Sequence, residues 1–119
     1  MLETAKRLKQ SGIRTYILSD QTHWIEDINA KTGFFSIFDK VFNSYRMGIT
    51  KKEPALFDLI IKHSGLDPEE ILFVDDHAAH IERAQEKFIH TIWFTDKKMF
   101  FTAIKIFFPD LRTDDLEAL

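Results

Sequence analysis

Apolar and polar positions switch along this chain between a helical and an extended period. Leu2, Ala5 and Leu8 mark one helix face, and Gly12 stands where such a helix would close. Residues 13–19 read as a buried strand that stops at Ser19-Asp20-Gln21-Thr22, a run of cap and turn residues. A second helix is expected over about 22–32, with Trp24, Ile25 and Ile28 inward and Gly33 closing it. Phe34, Phe35, Ile37 and Phe38 form an aromatic connector to a short strand near 40–44. Gly48 to Pro54 reads as a loop, and Pro54 suits the first turn of a third helix that buries Leu56, Phe57, Ile60 and Ile61 and ends at Gly65. Asp67-Pro68-Glu69-Glu70 looks like a capped single turn leading into a strand at 71–75. A fourth helix over about 78–87, a strand near 91–95 and an apolar helix over 98–108, stopped by Pro109, complete the pattern.

Strands alternating with helices predict an α/β fold: a Rossmann-like, mainly parallel sheet with helices on both faces. At 119 residues the chain reads as one domain, 1–119, with one core. Charge and composition change this picture little. A net charge of −3 with interspersed signs gives no footprint for nucleic acid or an anionic membrane. No apolar run approaches the roughly 18 residues of a membrane span, and the amphipathic start is no signal peptide, so a cytoplasmic protein is expected. With no cysteine, disulfides and thiolate metal sites are excluded.

Candidate chemistry gathers at strand ends. Ile71-Leu-Phe-Val runs straight into Asp75-Asp76, and a helical pattern follows at once. A short apolar run of this kind suits a strand buried on both faces, and its carboxyl end is where open α/β sheets place ligands. Two adjacent acids there make a hard oxygen site suited to Mg²⁺. Ser19 and the Lys51/Lys52 pair occupy comparable positions. A hydroxyl, a lysine and a carboxylate-bound cation together would surround a phosphate. Plainer readings exist for each residue: Ser19 as a helix cap, the lysines as solvated loop residues, and one acid of the pair as a cap. His77 and His80 beside the acids also raise a zinc or iron site. Trp24 and Trp93 read as core. Met99, Phe100, Phe101, Ile104, Phe107 and Phe108 read as a packing face or an oligomer interface.

In order, these motifs resemble the haloacid dehalogenase-like hydrolase superfamily, in particular its sugar-phosphatase-like members. Tyr16-Ile-Leu-Ser19 is similar to the family's second motif, Gly48-Ile-Thr-Lys51-Lys52-Glu-Pro54-Ala-Leu-Phe57 to its third, and Phe73-Val-Asp75-Asp76 to its fourth. The resemblance implies Mg²⁺ as cofactor and a phosphorylated small molecule as substrate. It assigns Ser19 and Lys51 to phosphate binding and catalysis, with Asp20 beside them, Asp76 as direct Mg²⁺ ligand and Asp75 as its helper. The departures are specific. The family's first motif, Asp-x-Asp, which carries the nucleophile, occurs nowhere in the chain. Lys52 stands where proline is usual, His80 where Asn or Asp is usual, and Phe88 where a glycine normally ends the helix.

The family strand order, 5-4-1-2-3, places the first-motif strand between the strands ending at Asp75 and Ser19. Its absence would leave two rows of unpaired backbone groups, each costing about 1–3 kcal/mol if buried. The expectation is therefore that the strands re-pair, or that an upstream segment or another chain supplies the missing strand and the nucleophile. The resemblance then implies the C-terminal portion of a phosphatase that is inactive by itself. The competing expectation is a non-catalytic module that kept the phosphate and metal pocket for binding or assembly.

Overall fold

The structure, a computed structural model, describes residues 2–19, 30–33, 36, 38–43 and 54–117. It contains α1 (Leu2–Gln10), β1 (Tyr16–Ser19), β2 (Lys40–Asn43), α2 (Pro54–Ser64), a 3-10 turn (Pro68–Glu70), β3 (Leu72–Asp75), α3 (Ala78–Glu86), β4 (His90–Trp93), α4 (Lys97–Phe107) and α5 (Asp114–Glu117). The strands form two two-stranded parallel sheets, β1–β2 and β3–β4. Parallel pairing and alternation with helices are as the sequence predicts, and each pair joins strands that are neighbours in the expected order. The aromatic connector (apart from Phe38), most of the predicted second helix with Trp24, and the 48–53 loop lie outside the described residues. The end of that helix, Ala30 to Thr32, is helical and is followed by Gly33 at φ 68°.

Two compact units divide the chain, Met1–Thr50 and Lys51–Leu119. In the first, α1 ends in a Schellman turn: Gly12 N–H donates to the Lys9 carbonyl and Ile13 N–H to the Leu8 carbonyl, both at 3.0 Å. Gly12 takes φ 89°, a conformation in which a Cβ would be strained. β1 begins three residues later than the apolar pattern predicts, because the chain from Ile13 to Thr15 is outside the ladder. Asp39 closes this end instead: its carboxylate accepts the Thr15 N–H at 2.8 Å, and its own N–H donates to the Thr15 carbonyl at 2.7 Å. Tyr16 and the buried Phe42 meet edge to face at 5.8 Å on one face of the pair.

In the second unit, alternation along β3 sends side chains to two helical layers. Leu72 and Val74 pack against Ile92, Phe100, Phe101, Ile104 and Leu116, so α4 and α5 cover that face. Phe73 points the other way and meets Phe57 of α2 edge to face at 5.2 Å. α3 joins the α2 side, where Lys87, just past its end, pairs with Asp58 at 3.1 Å. Asp96 caps α4 by accepting the Met99 N–H at 2.8 Å. Although both faces are covered, all of Leu72 to Asp75 is only half-buried, so the expectation of a fully buried strand is not met. Among the described strands β3 pairs with β4 alone, which leaves its other edge without a ladder partner.

The short helix α5 carries no sequence periodicity, and its four residues went unpredicted. It is tied down by Lys105, whose ammonium lies 2.9 Å from the Glu117 carboxylate, and by the Thr113 hydroxyl, which donates to the same group at 3.0 Å. The Lys105 hydrogen bond, then that of Thr113, holds the Glu117 carboxyl below its ordinary range. The same Glu117 bond holds Lys105 above its own range.

Phe88 takes the place of the usual helix-ending glycine without altering the turn. Phe88 N–H donates to the Gln85 carbonyl at 2.9 Å and Ile89 N–H to the Ala84 carbonyl at 3.2 Å, the Schellman pattern again. The residue therefore adopts φ 65°, left-handed and non-glycine, and it is 81% exposed.

Two predictions follow from these helix ends. Phe88→Gly relieves left-handed strain and gives up little packing, so urea denaturation should show stability unchanged or raised by up to about 1 kcal/mol. A clear loss would mean that the ring makes a stabilising contact. The Lys105–Glu117 tie should hold α5 only between the two titrations. Its contribution is complete above the ordinary carboxylate range and falls away as pH drops through the depressed Glu117 value. On the alkaline side it is lost as pH rises through the raised Lys105 value. Protection of the Leu116 amide, corrected for intrinsic exchange, should fall at both extremes.

Candidate functional site

The site is built at the carboxyl end of the β3–β4 pair. Asp75 is the last residue of β3 and the register partner of Trp93, and its carbonyl accepts the Phe94 N–H at 2.8 Å. Here the strand turns directly into α3, whose first amides need acceptors that the helix cannot supply. The Asp75 carboxylate provides one. Its Oδ1 accepts the His77 N–H at 2.9 Å, and its Oδ2 lies 3.2 Å from His80 Nδ1. The Asp75 side chain is 6% exposed, and the His80 ring is buried and stacked on His77 at 4.4 Å. Both oxygens of Asp75 are thus engaged within the protein.

Asp76 is the opposite case. It is exposed, and among the described residues its carboxylate has no hydrogen bond or ion pair. Its backbone is fixed, however, because its carbonyl accepts the Trp93 indole N–H at 3.1 Å. The adjacent acids therefore divide: one is a buried structural acceptor, the other an exposed carboxylate at the sheet edge. Mg²⁺ takes one or two carboxylates plus water and phosphate oxygens, and Asp76 fits it as one such ligand. Among the described residues no group of three His, Cys, Asp or Glu side chains is placed to hold a metal. A zinc or iron centre on His77 and His80 therefore gains no support, and His80 has one ring nitrogen committed to Asp75.

Of the other candidate residues, Ser19 ends β1 opposite Asn43, the strand-end position its motif requires, and only its backbone is described. Asp20, Lys51 and Lys52 lie outside the described residues. Trp93 departs from its expected place. Instead of lying in the core it is 50% exposed, with its polar tip on the Asp76 backbone. The available signal was its place as the last residue of a strand aligned with the one ending at Asp75.

The unequal roles of the acids give opposite expectations for stability. Asp75→Ala strands the His77 amide and the buried His80 ring, and should cost about 1–3 kcal/mol in urea denaturation. Asp76→Ala removes an exposed group and should stay within about 0.5 kcal/mol of the wild type.

Known proteins agree with this architecture. A family model described as haloacid dehalogenase-like hydrolase matches residues 1–86. D-ribitol-5-phosphate phosphatase of Bacteroides thetaiotaomicron is 46% identical over 48 residues, 40% of this chain and 23% of that protein. A predicted HAD-like family hydrolase from Porphyromonas gingivalis superposes with a TM-score of 0.80 at 28% identity, over 92% of this chain and 56% of the other. A HAD family enzyme of B. thetaiotaomicron, solved as a magnesium complex, gives a TM-score of 0.69 at 28% identity, over 76% and 49%. The chain spans between 10% and 23% of the length of three curated relatives, and about half of these two solved chains. Motif order, parallel strand pairs and this match together place the chain in the haloacid dehalogenase-like hydrolase family, an α/β family that includes phosphatases.

Proposed function

We propose that this chain forms the phosphate- and Mg²⁺-binding portion of a phosphatase acting on small phosphate monoesters. The observation that carries the reading is the exposed Asp76 carboxylate, without a partner among the described residues, at the carboxyl edge of a parallel strand pair. In this proposal Asp76 holds Mg²⁺, Asp75 orients the loop, and Ser19, Asp20 and Lys51 bind the phosphate. Bound Mg²⁺ would supply charge neutralisation at the phosphoryl oxygens. Support for the phosphate class comes from the matched phosphatase and from the magnesium-bound neighbour.

The nucleophile is proposed to be an aspartate outside these 119 residues, since no Asp-x-Asp motif occurs in them. Its carboxylate oxygen would attack phosphorus while the ester P–O bond breaks and the leaving oxygen takes a proton from a general acid, the second aspartate of the same Asp-x-Asp motif, so that the alcohol departs. Water would then cleave the aspartyl-phosphate, returning the carboxylate and releasing inorganic phosphate. Among the described strands one edge of β3 has no ladder partner, which supports the companion proposal that an upstream segment or another chain pairs there.

The expected result is that the pure 119-residue protein with Mg²⁺ does not hydrolyse an aryl phosphate above background. Turnover by that protein, abolished by Asp76→Ala, would show that the nucleophile lies within the chain and overturn this part of the reading.

A further inference from the structure

One peptide group at the β3–α3 junction is held at both poles. The Asp76–His77 peptide donates its N–H to Asp75 Oδ1 at 2.9 Å, and its C=O accepts the Trp93 indole N–H at 3.1 Å. The two anchors sit on neighbouring strands as register partners, at the last positions of β3 and β4. The N–H anchor is itself braced, because Asp75 Oδ2 meets the buried His80 ring at 3.2 Å. A peptide plane tied at its donor and its acceptor resists rotation. The ψ angle of Asp76 is thereby restrained, and with it the direction in which its Cα–Cβ bond leaves the sheet.

Packing alone does not account for a tryptophan at this position. The residue is 50% exposed, and a leucine or phenylalanine would cover similar surface without reaching the carbonyl. What indole adds is an N–H donor at the end of a rigid apolar body. Hydrogen-bond partners one layer behind a metal ligand restrict its orientation, and their loss typically weakens metal binding about 10- to 100-fold.

We propose that Trp93 is a positioning residue for a divalent cation: its indole N–H, together with Asp75, clamps the Asp76–His77 peptide so that the Asp76 carboxylate is presented ready for the ion. The inference rests on the proposed metal role of Asp76, and is independent of the nucleophile and of the substrate. It assigns a task to a residue outside the phosphatase motifs.

The probe is Mn²⁺, titrated against the full chain while the free ion is followed by electron paramagnetic resonance. Trp93→Phe should weaken Mn²⁺ binding about tenfold with the melting temperature nearly unchanged. In the wild type, the Trp93 indole N–H signal, identified by its absence in Trp93→Phe, should broaden at substoichiometric Mn²⁺. As a check that needs no change of shape, a Trp24→Phe chain can carry a benzothienyl ring at position 93, with sulfur in place of N–H. It should bind Mn²⁺ as weakly as Trp93→Phe. Wild-type affinity in both altered proteins, with Asp76→Asn clearly weakened, would overturn the clamp and leave the Asp76 reading intact. No Mn²⁺ binding by the wild type, or full binding by Asp76→Asn, would overturn the Asp76 reading and the clamp with it.

Discussion

The buried carboxylate of Asp75 is the constraint on which the carboxyl edge of the β3–β4 pair depends. It ends a strand, starts a helix and fixes a histidine ring through two hydrogen bonds. A carboxyl group whose side chain is 6% exposed needs partners for its polar atoms, and both of its oxygens have one. That satisfaction gives the β3–α3 junction one geometry, and the geometry sets the exposed Asp76 beside the N-terminus of α3. The two acids are adjacent in sequence and alike in chemistry, and they differ only in what surrounds them. One holds the loop and the other is exposed, with no partner among the described residues.

The same economy runs through the unit around it. Leu72 and Val74 face α4 and α5, Phe73 faces α2, and β4 completes the one ladder that β3 makes among the described strands. The remaining edge of β3 is apolar in sequence yet half-buried, an arrangement that sheets ordinarily cover or pair. In the proposed reading that edge receives the strand that carries the nucleophile, which would bring the reacting carboxylate next to Asp76. The helix-ending Phe88 keeps the packing of Ile89 and Ala84 at the cost of a left-handed aromatic residue, so the turn geometry outranks local preference there.

Much of this was legible in the sequence because it follows from periodicity and punctuation. Gly12, Gly33 and Gly65 all take positive φ where the pattern places helix ends. The strand ending at Asp75 and the turn at Pro68 to Glu70 stand within a residue of their expected places. What the sequence hid depends on contacts between segments. β1 starts late because Asp39, 24 residues on, takes over its entry. The division of labour within Asp75-Asp76 turns on which side chain His80 and the His77 amide reach. Trp93 reads as core because its apolar body is visible in sequence and its partner, the carbonyl of Asp76, is not. Helix α5 exists through Lys105 and Thr113, with no periodic signal of its own.

The central claim is that Asp76 faces the cation while Asp75 stays engaged with His77 and His80. A crystal structure of the 119-residue protein soaked with Mn²⁺ and phosphate tests it most directly, through the anomalous scattering of the ion. The account predicts a single strong anomalous peak within coordination distance of the Asp76 carboxylate, with both Asp75 hydrogen bonds retained. A peak coordinated by Asp75 or by the histidine pair, or no peak at Asp76, would contradict it.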